Sequence, residues 1–182
     1  IYGNTLTNCG CYQASKDWKE EIAKGWKKGC LSGIYVDTHA RVYGDIHDNV
    51  VDKTNEHGIY IHLMSYVNNI YKNTVKDTKE AGIEIYRSTV LGDIYENTLS
   101  NSGTFGMKVI KYSDVKGKIR NNLIDKGPEG GIYVDASKVN IISKNTLKGV
   151  KRSGIGVADS STAQLVELNS VTMNDQATGI GI

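Results

Sequence analysis

Two spacing signals run through this chain in phase, and together they leave few folds open. A glycine followed by apolar, any, apolar stands at Gly33, Gly58, Gly82, Gly106, Gly131, Gly154 and Gly179, with successive differences of 23 to 25 residues. An apolar-x-x-Asn-x-apolar block is centred on Asn4, Asn49, Asn73, Asn97, Asn122, Asn145 and Asn169, and from Asn49 onward it repeats at 23 to 25 residues as well. A fixed period of this length marks a solenoid, in which each repeat is one coil that buries its apolar face by stacking on its neighbours.

The apolar columns give the direction of each side chain, because alternate residues of a strand face opposite ways and only one face meets the core. One column holds Ile34, Ile59, Ile83, Met107, Ile132, Ile155 and Ile180, with period-two partners Val36, Ile61, Ile85, Val109, Val134, Val157 and Ile182. A second holds Ile1, Ile46, Ile70, Ile94, Ile119, Ile142 and Val166, and a third holds Leu6, Val51, Val75, Leu99, Ile124, Leu147 and Val171. Each coil therefore carries three short strands. The Asn column falls at the bend between the second and third, where we expect a residue that tolerates left-handed geometry and bonds its neighbours through its amide. That role is structural, not catalytic.

Composition agrees: 20 Gly, 11 Tyr and a single Pro, Pro128, suit short strands and tight turns. A net charge of +2 with no basic stripe argues against a nucleic-acid partner. No apolar run is long enough to span a bilayer, and no signal-peptide pattern opens the chain. Leucine-rich repeats share the period, yet two residues before the second apolar column, where they need Leu, this chain has Gly44, Asn68, Gly92, Gly117 and Asn140.

The phased Gly-Ile-x-Val and Ile-x-x-Asn-x-Leu blocks resemble the pectate-lyase-like right-handed parallel β-helix superfamily. The resemblance implies an all-β right-handed solenoid over residues 1–182, with about seven coils of roughly 24 residues and one inserted loop at 7–32. It further implies a secreted or cell-surface protein whose partner is polysaccharide. The superfamily holds lyases, epimerases, hydrolases, esterases and non-catalytic adhesive or tailspike modules, so activity does not follow from fold. The paired-Asp, Gly-His-Gly and Arg-Ile-Lys motifs of polygalacturonases and the Arg-x-Pro-x-x-Arg run of pectate lyases are all missing.

In that superfamily, substrates lie along the outer face of the first strand. Here that face carries Tyr35, Tyr60, Glu84, Lys108, Tyr133 and Gly156 in one column and Asp37, His62, Tyr86, Ile110, Asp135 and Ala158 in the next, with Arg87 and Lys111 one residue on. Tyrosines offer stacking and hydroxyls to sugars, and cations pair with uronate carboxylates. The expected chemistry is β-elimination or C5-epimerisation of an acidic polysaccharide: His62 as base, Tyr60 or Tyr86 as proton donor, and Arg87 or Lys108 neutralising the carboxylate. Tyr35, Asp37, Glu84, Lys111, Tyr133 and Asp135 are the binding candidates. The alternative is a non-catalytic glycan-binding module with the same face.

No cofactor is expected. Calcium is disfavoured because Asp37 and Asp135 stand four coils apart, roughly 19 Å at the strand spacing. Glu56 and Glu80 occupy equivalent loop positions, near enough for a metal or a glycosidase pair, but ordinary solvated loop carboxylates are the preferred reading of the two.

From Asn4 to Gly33 the chain spends 29 residues where other coils spend nine or ten. Within this insertion Asp17 and Glu20 form a capping pair, and Trp18, Ile22 and Trp26 share one helical face. The helix either packs its aromatics on the solenoid or walls a sugar cleft with Trp18 and Trp26. Cys9, Cys11 and Cys30 lie in the same segment; Cys30 bridges one of the others in an oxidising compartment, or all three are free thiols. A zinc site recruiting His39 lacks a recognised spacing. The repeat is already in phase at Ile1 and still running at Ile182, which anticipates further coils or end-to-end association.

Overall fold

A computed structural model describes residues 1–7 and 32–174. They form 22 short strands in three sheets, and every pairing is parallel between one coil and the next. The first sheet has six strands: Ile34–Val36, Ile59–His62, Ile83–Tyr86, Phe105–Ile110, Gly130–Asp135 and Ser153–Ala158. The third sheet has seven, from Thr5–Thr7 to Ser170–Met173. About six turns are thus described where the spacing led us to expect about seven; the coil of Gly179 and the inserted helix with Trp18, Trp26 and the three cysteines lie outside the described residues.

The register carries the period into space. Ile34, Ile59, Ile83, Met107, Ile132 and Ile155 are direct partners down the first sheet. In the interior coils all three expected columns are buried and form one continuous core. A fourth column, Val67, Val90, Val115 and Val139, lines the second sheet beside them. At the ends of the described stack the same columns are exposed, at Ile1 on one side and Val157, Val166 and Val171 on the other.

The second sheet departs from the expectation of one strand per coil. Its first three coils each contribute two two-residue strands, such as Tyr66–Val67 and Ile70–Tyr71, separated by a corner; from Asp114–Arg120 onward they fuse into one. Asp45 makes that corner, its Oδ1 accepting from the Asn69 backbone and from the amides of Asn68 and Asn69.

The Asn column is a buried ladder. Asn49 Nδ2 donates to Asn73 Oδ1 at 2.8 Å, Asn73 to Asn97 at 3.0 Å and Asn97 to Asn122 at 3.0 Å, and the backbone N–H of each donates to the same neighbouring oxygen. The left-handed conformation, however, falls on the residue before each Asn: Asp48, Lys72, Glu96, Asn121, Lys144 and Leu168 have φ of 52° to 55° or close to it (56° at Lys144). The ladder amide fixes the corner firmly enough that the strained position accepts almost any side chain. A second ladder, of serines, spans the bend after the first sheet: the backbone N–H of Ser65, Ser88, Ser113 and Ser137 donates to the hydroxyl of Ser88, Ser113, Ser137 and Ser161 in turn.

The glycine column has a steric cause. A Cβ on Gly58 would collide with Val75 of the third sheet and stand 2.6 Å from the Gly82 carbonyl oxygen. Glycine here lets the third and first strands of a coil meet at the core.

Candidate functional site

Alternation directs Tyr35, Tyr60, Glu84, Lys108 and Tyr133 outward from the first sheet, and the register pairs them as one column across five coils. His62 and Tyr86 pair in the neighbouring column. The sheet thus brings together the residues that the sequence placed there.

At its centre is an Asp–His pair. Asp37 follows the strand Ile34–Val36, and its Oδ1 lies 2.8 Å from Nδ1 of His62, one coil on. The hydrogen bonds from His62 and then Thr38 hold the Asp37 carboxyl below its ordinary range. A carboxylate only accepts, so the His62 proton sits on Nδ1 and Nε2 is left as a lone-pair acceptor. The Tyr35 hydroxyl stands 3.1 Å from the same Nδ1, and burial, followed by the Asp37 charge, pushes its phenol up to about 12.

The imidazole is packed between Tyr60, with centroids 4.8 Å apart, and Tyr86, at 5.2 Å. Burial first, and the Glu84 charge next, push the Tyr60 phenol well above its ordinary value, so it holds its proton. Tyr35 stacks on Tyr60 at 5.3 Å and Phe105 on Tyr133 at 4.8 Å. Rings stacked along the solenoid axis cover one another's faces. Hydroxyls and ring edges, not open faces, are therefore what most of this column offers a ligand.

Two expected site residues are covered rather than open. Glu84 is 3 % exposed, and its Oε2 makes an ion pair with Lys108 Nζ at 3.0 Å. Asp135 is buried and pairs with Lys111 at 3.4 Å, and Ile110 is buried beside it. Arg87, at a left-handed corner directly after Tyr86, is exposed and makes no ion pair among the described residues. Beyond Lys108 the face opens into a depression lined by Phe105, Glu129, Tyr133, Arg152 and Ser153.

His57 was not anticipated. It precedes Gly58 in a column otherwise made of Ser32, Ala81, Phe105, Gly130 and Ser153, and an odd histidine among these was the only signal. Its ring lies against Tyr60 at 4.3 Å, with Nδ1 3.6 Å from Glu84 Oε2, too far for a hydrogen bond. Burial, with Lys108 and His62 adding like charge, lowers its pKa to about 4. Glu56 is pushed up by burial and by Glu80, whose backbone N–H donates to the Glu56 carbonyl at 3.1 Å.

A second aromatic file runs up the second sheet, where Tyr2, His47, Tyr71 and Tyr95 stack at 4.7 to 5.2 Å and Arg120 caps the file 4.2 Å from the Tyr95 centroid. The ring faces of His47, Tyr71 and Tyr95 are likewise covered by their neighbours, while Tyr2 at the end of the file is exposed.

Among the described residues no helix is long and apolar enough to cross a membrane, and no three His, Cys, Asp or Glu side chains are grouped to hold a metal ion. Comparison with known families returns two matches: one described as right handed beta helix region, over residues 64–182, and one described as periplasmic copper-binding protein (NosD), over residues 1–116. No curated protein and no solved structure matches the chain.

Proposed function

The chain belongs to the right-handed β-helix family and to the NosD family, and from that footing we propose that its first-sheet face binds an acidic polysaccharide and acts on it as a lyase or C5-epimerase. The observation that carries this reading is the Asp37–His62 pair, set among tyrosines on an open face with Arg87 at its edge. His62 Nε2 takes the C5 proton of a uronate. The electron pair left behind delocalises into the sugar carboxylate, which the Arg87 guanidinium steadies. In elimination the C4–O bond then breaks, and a tyrosine hydroxyl, from Tyr60 or Tyr86, protonates the departing oxygen and leaves an unsaturated uronate. In epimerisation His62 keeps the abstracted proton, and a tyrosine hydroxyl, from Tyr60 or Tyr86, delivers its own proton to the opposite face of C5.

Copper, which the NosD description names, does not fit the described donors. The Nδ1 of His62 is engaged by Asp37, that of His47 lies 2.7 Å from Asp48, and no third ligand joins either. The periplasmic setting in the same description supports an extracytoplasmic location, within which secretion or display at the cell surface is our finer reading.

A non-catalytic glycan-binding module is the second reading, favoured by Lys108 being held by Glu84. One experiment separates the two. The protein is incubated with alginate, pectate and glycosaminoglycans, absorbance of unsaturated uronate and C5 inversion are followed, and affinity-gel retardation is measured on the same panel. Turnover abolished by His62→Ala supports the catalytic reading. Turnover that survives this change overturns the base assignment, retardation without turnover favours the binding module, and neither signal overturns both.

A further inference from the structure

The central rung of the proposed face is occupied by the protein itself. Glu84 and Lys108 are direct partners on adjacent strands, between Tyr60 on one side and Tyr133 on the other. Both point away from the core, yet their side chains are only 5 % and 19 % exposed, because they lie against each other and against His57. A carboxylate removed from water is costly, and one ion pair rarely offsets that cost; Gln or an apolar residue of similar size would be the cheaper occupant. The same sheet shows the arrangement again at lower burial, where Asp135 holds Lys111.

We infer that Glu84 is a built-in substitute for a ligand carboxylate, occupying the cation subsite at Lys108 and thereby limiting how tightly the face holds an acidic polymer. This rests on the reading of the face as an acidic-polysaccharide site and adds a specificity determinant to it. A uronate arriving over Tyr60 and Tyr133 must displace Glu84 from Lys108 to make its own ion pair. Arg87, which directly follows the strand partner of His62, needs no such exchange, so the anionic group of the sugar is drawn toward the Asp37–His62 pair rather than to the middle of the sheet. An acidic chain held at a few free cations and released at the others can slide or leave, whereas a face of unmasked lysines would retain it.

The test is affinity electrophoresis of the whole protein in gels of polygalacturonate or alginate, with a neutral glucan as control, at several salt concentrations. The variants are Glu84→Gln, the apolar Glu84→Met as a second unmasking change should Gln disturb folding, and the double change Glu84→Gln with Lys108→Gln. Unmasking should tighten binding to the acidic polymers on the order of tenfold, about one charge-assisted contact. It should also steepen the salt dependence and leave the neutral gel unaffected, and the double variant should return to the parent affinity. A parent protein that is not retained alongside a Glu84 variant that is would support complete masking. If the parent is retained and neither unmasking change tightens it, the inference fails while the polysaccharide reading stands. If no variant is retained by either acidic polymer, both fail together.

Discussion

Asp37 and His62 belong to successive coils, 25 residues apart in sequence, yet the carboxylate of one fixes the tautomer of the other through a 2.8 Å hydrogen bond. The pair exists because the sheet register brings Val36 beside Ile61 and so sets the ends of the two strands side by side. Asp37→Asn keeps the shape and removes the charge. We expect uronate turnover to fall about a hundredfold, the lower end of what a positioned base contributes, with the polymer still retained in affinity gels. Nitrogen NMR of His62 should show the proton shifting from Nδ1 to a mixture of tautomers; an unchanged tautomer would remove Asp37 from this role.

The Asn ladder makes a stability prediction. Asn97 accepts from the side chain and backbone of Asn73 and donates to Asn122 Oδ1 and the Ile70 carbonyl, all out of water. Asn97→Ala strands several buried groups at once, and urea unfolding should register a loss of about 3 kcal/mol or more. Lys72→Gly, at the left-handed residue before Asn73, should instead be neutral or stabilising by up to about 1 kcal/mol, because φ of 52° there costs a side-chain-bearing residue strain.

Two glycines serve as each other's control. Gly58→Ala drives a methyl group into Val75 and the Gly82 carbonyl, whereas Gly44→Ala meets nothing within 4 Å. Thermal unfolding should show the first destabilised by about 1 to 3 kcal/mol, partly restored by Val75→Ala, and the second close to the parent. Equal effects at the two positions would contradict the close-approach account.

His57 should make the fold acid-sensitive. Its pKa falls from 6.5 unfolded to about 4 folded, so between these values the unfolded chain binds the extra proton. Stability from this group is intact above about pH 6.5 and is lost as pH drops toward 4, by no more than about 3 kcal/mol. Glu84, pushed upward by burial, acts in the opposite sense, since its folded form gains a proton more readily as pH falls. Comparing the parent with His57→Phe isolates the first effect: the gap in urea midpoint should move in the variant's favour across that window. A gap that does not change with pH would show that His57 is not the group responsible.

The repeat, the three sheets and the faces of their strands were legible because period and alternation are written directly in Ile, Val and Gly positions such as Ile83, Val109 and Gly106. The reasons behind them were less so. The period marks Gly58 without saying that a close approach to Val75 and the Gly82 carbonyl requires glycine there, and the left-handed strain expected at Asn73 belongs to Lys72. The serine ladder through Ser88 and Ser113 is visible in the numbering once known, but serine is too common in bends to stand out. At the site, alternation placed Glu84 outward correctly without revealing that Lys108 and His57 close over it. Burial on an outer face depends on which neighbours are long enough to cover it, and a one-dimensional pattern carries no such information.

Because the strands of each coil stack in register on those beneath, a bend is where length can change most freely. A residue added within Ile83–Tyr86 would turn its whole core set to solvent, whereas residues added at a corner, outside the ladder positions, leave the faces of the strands in phase. The scaffold can therefore acquire, lose or exchange outer loops over evolutionary time while its walls stay fixed, and new binding preferences need not cost it its shape.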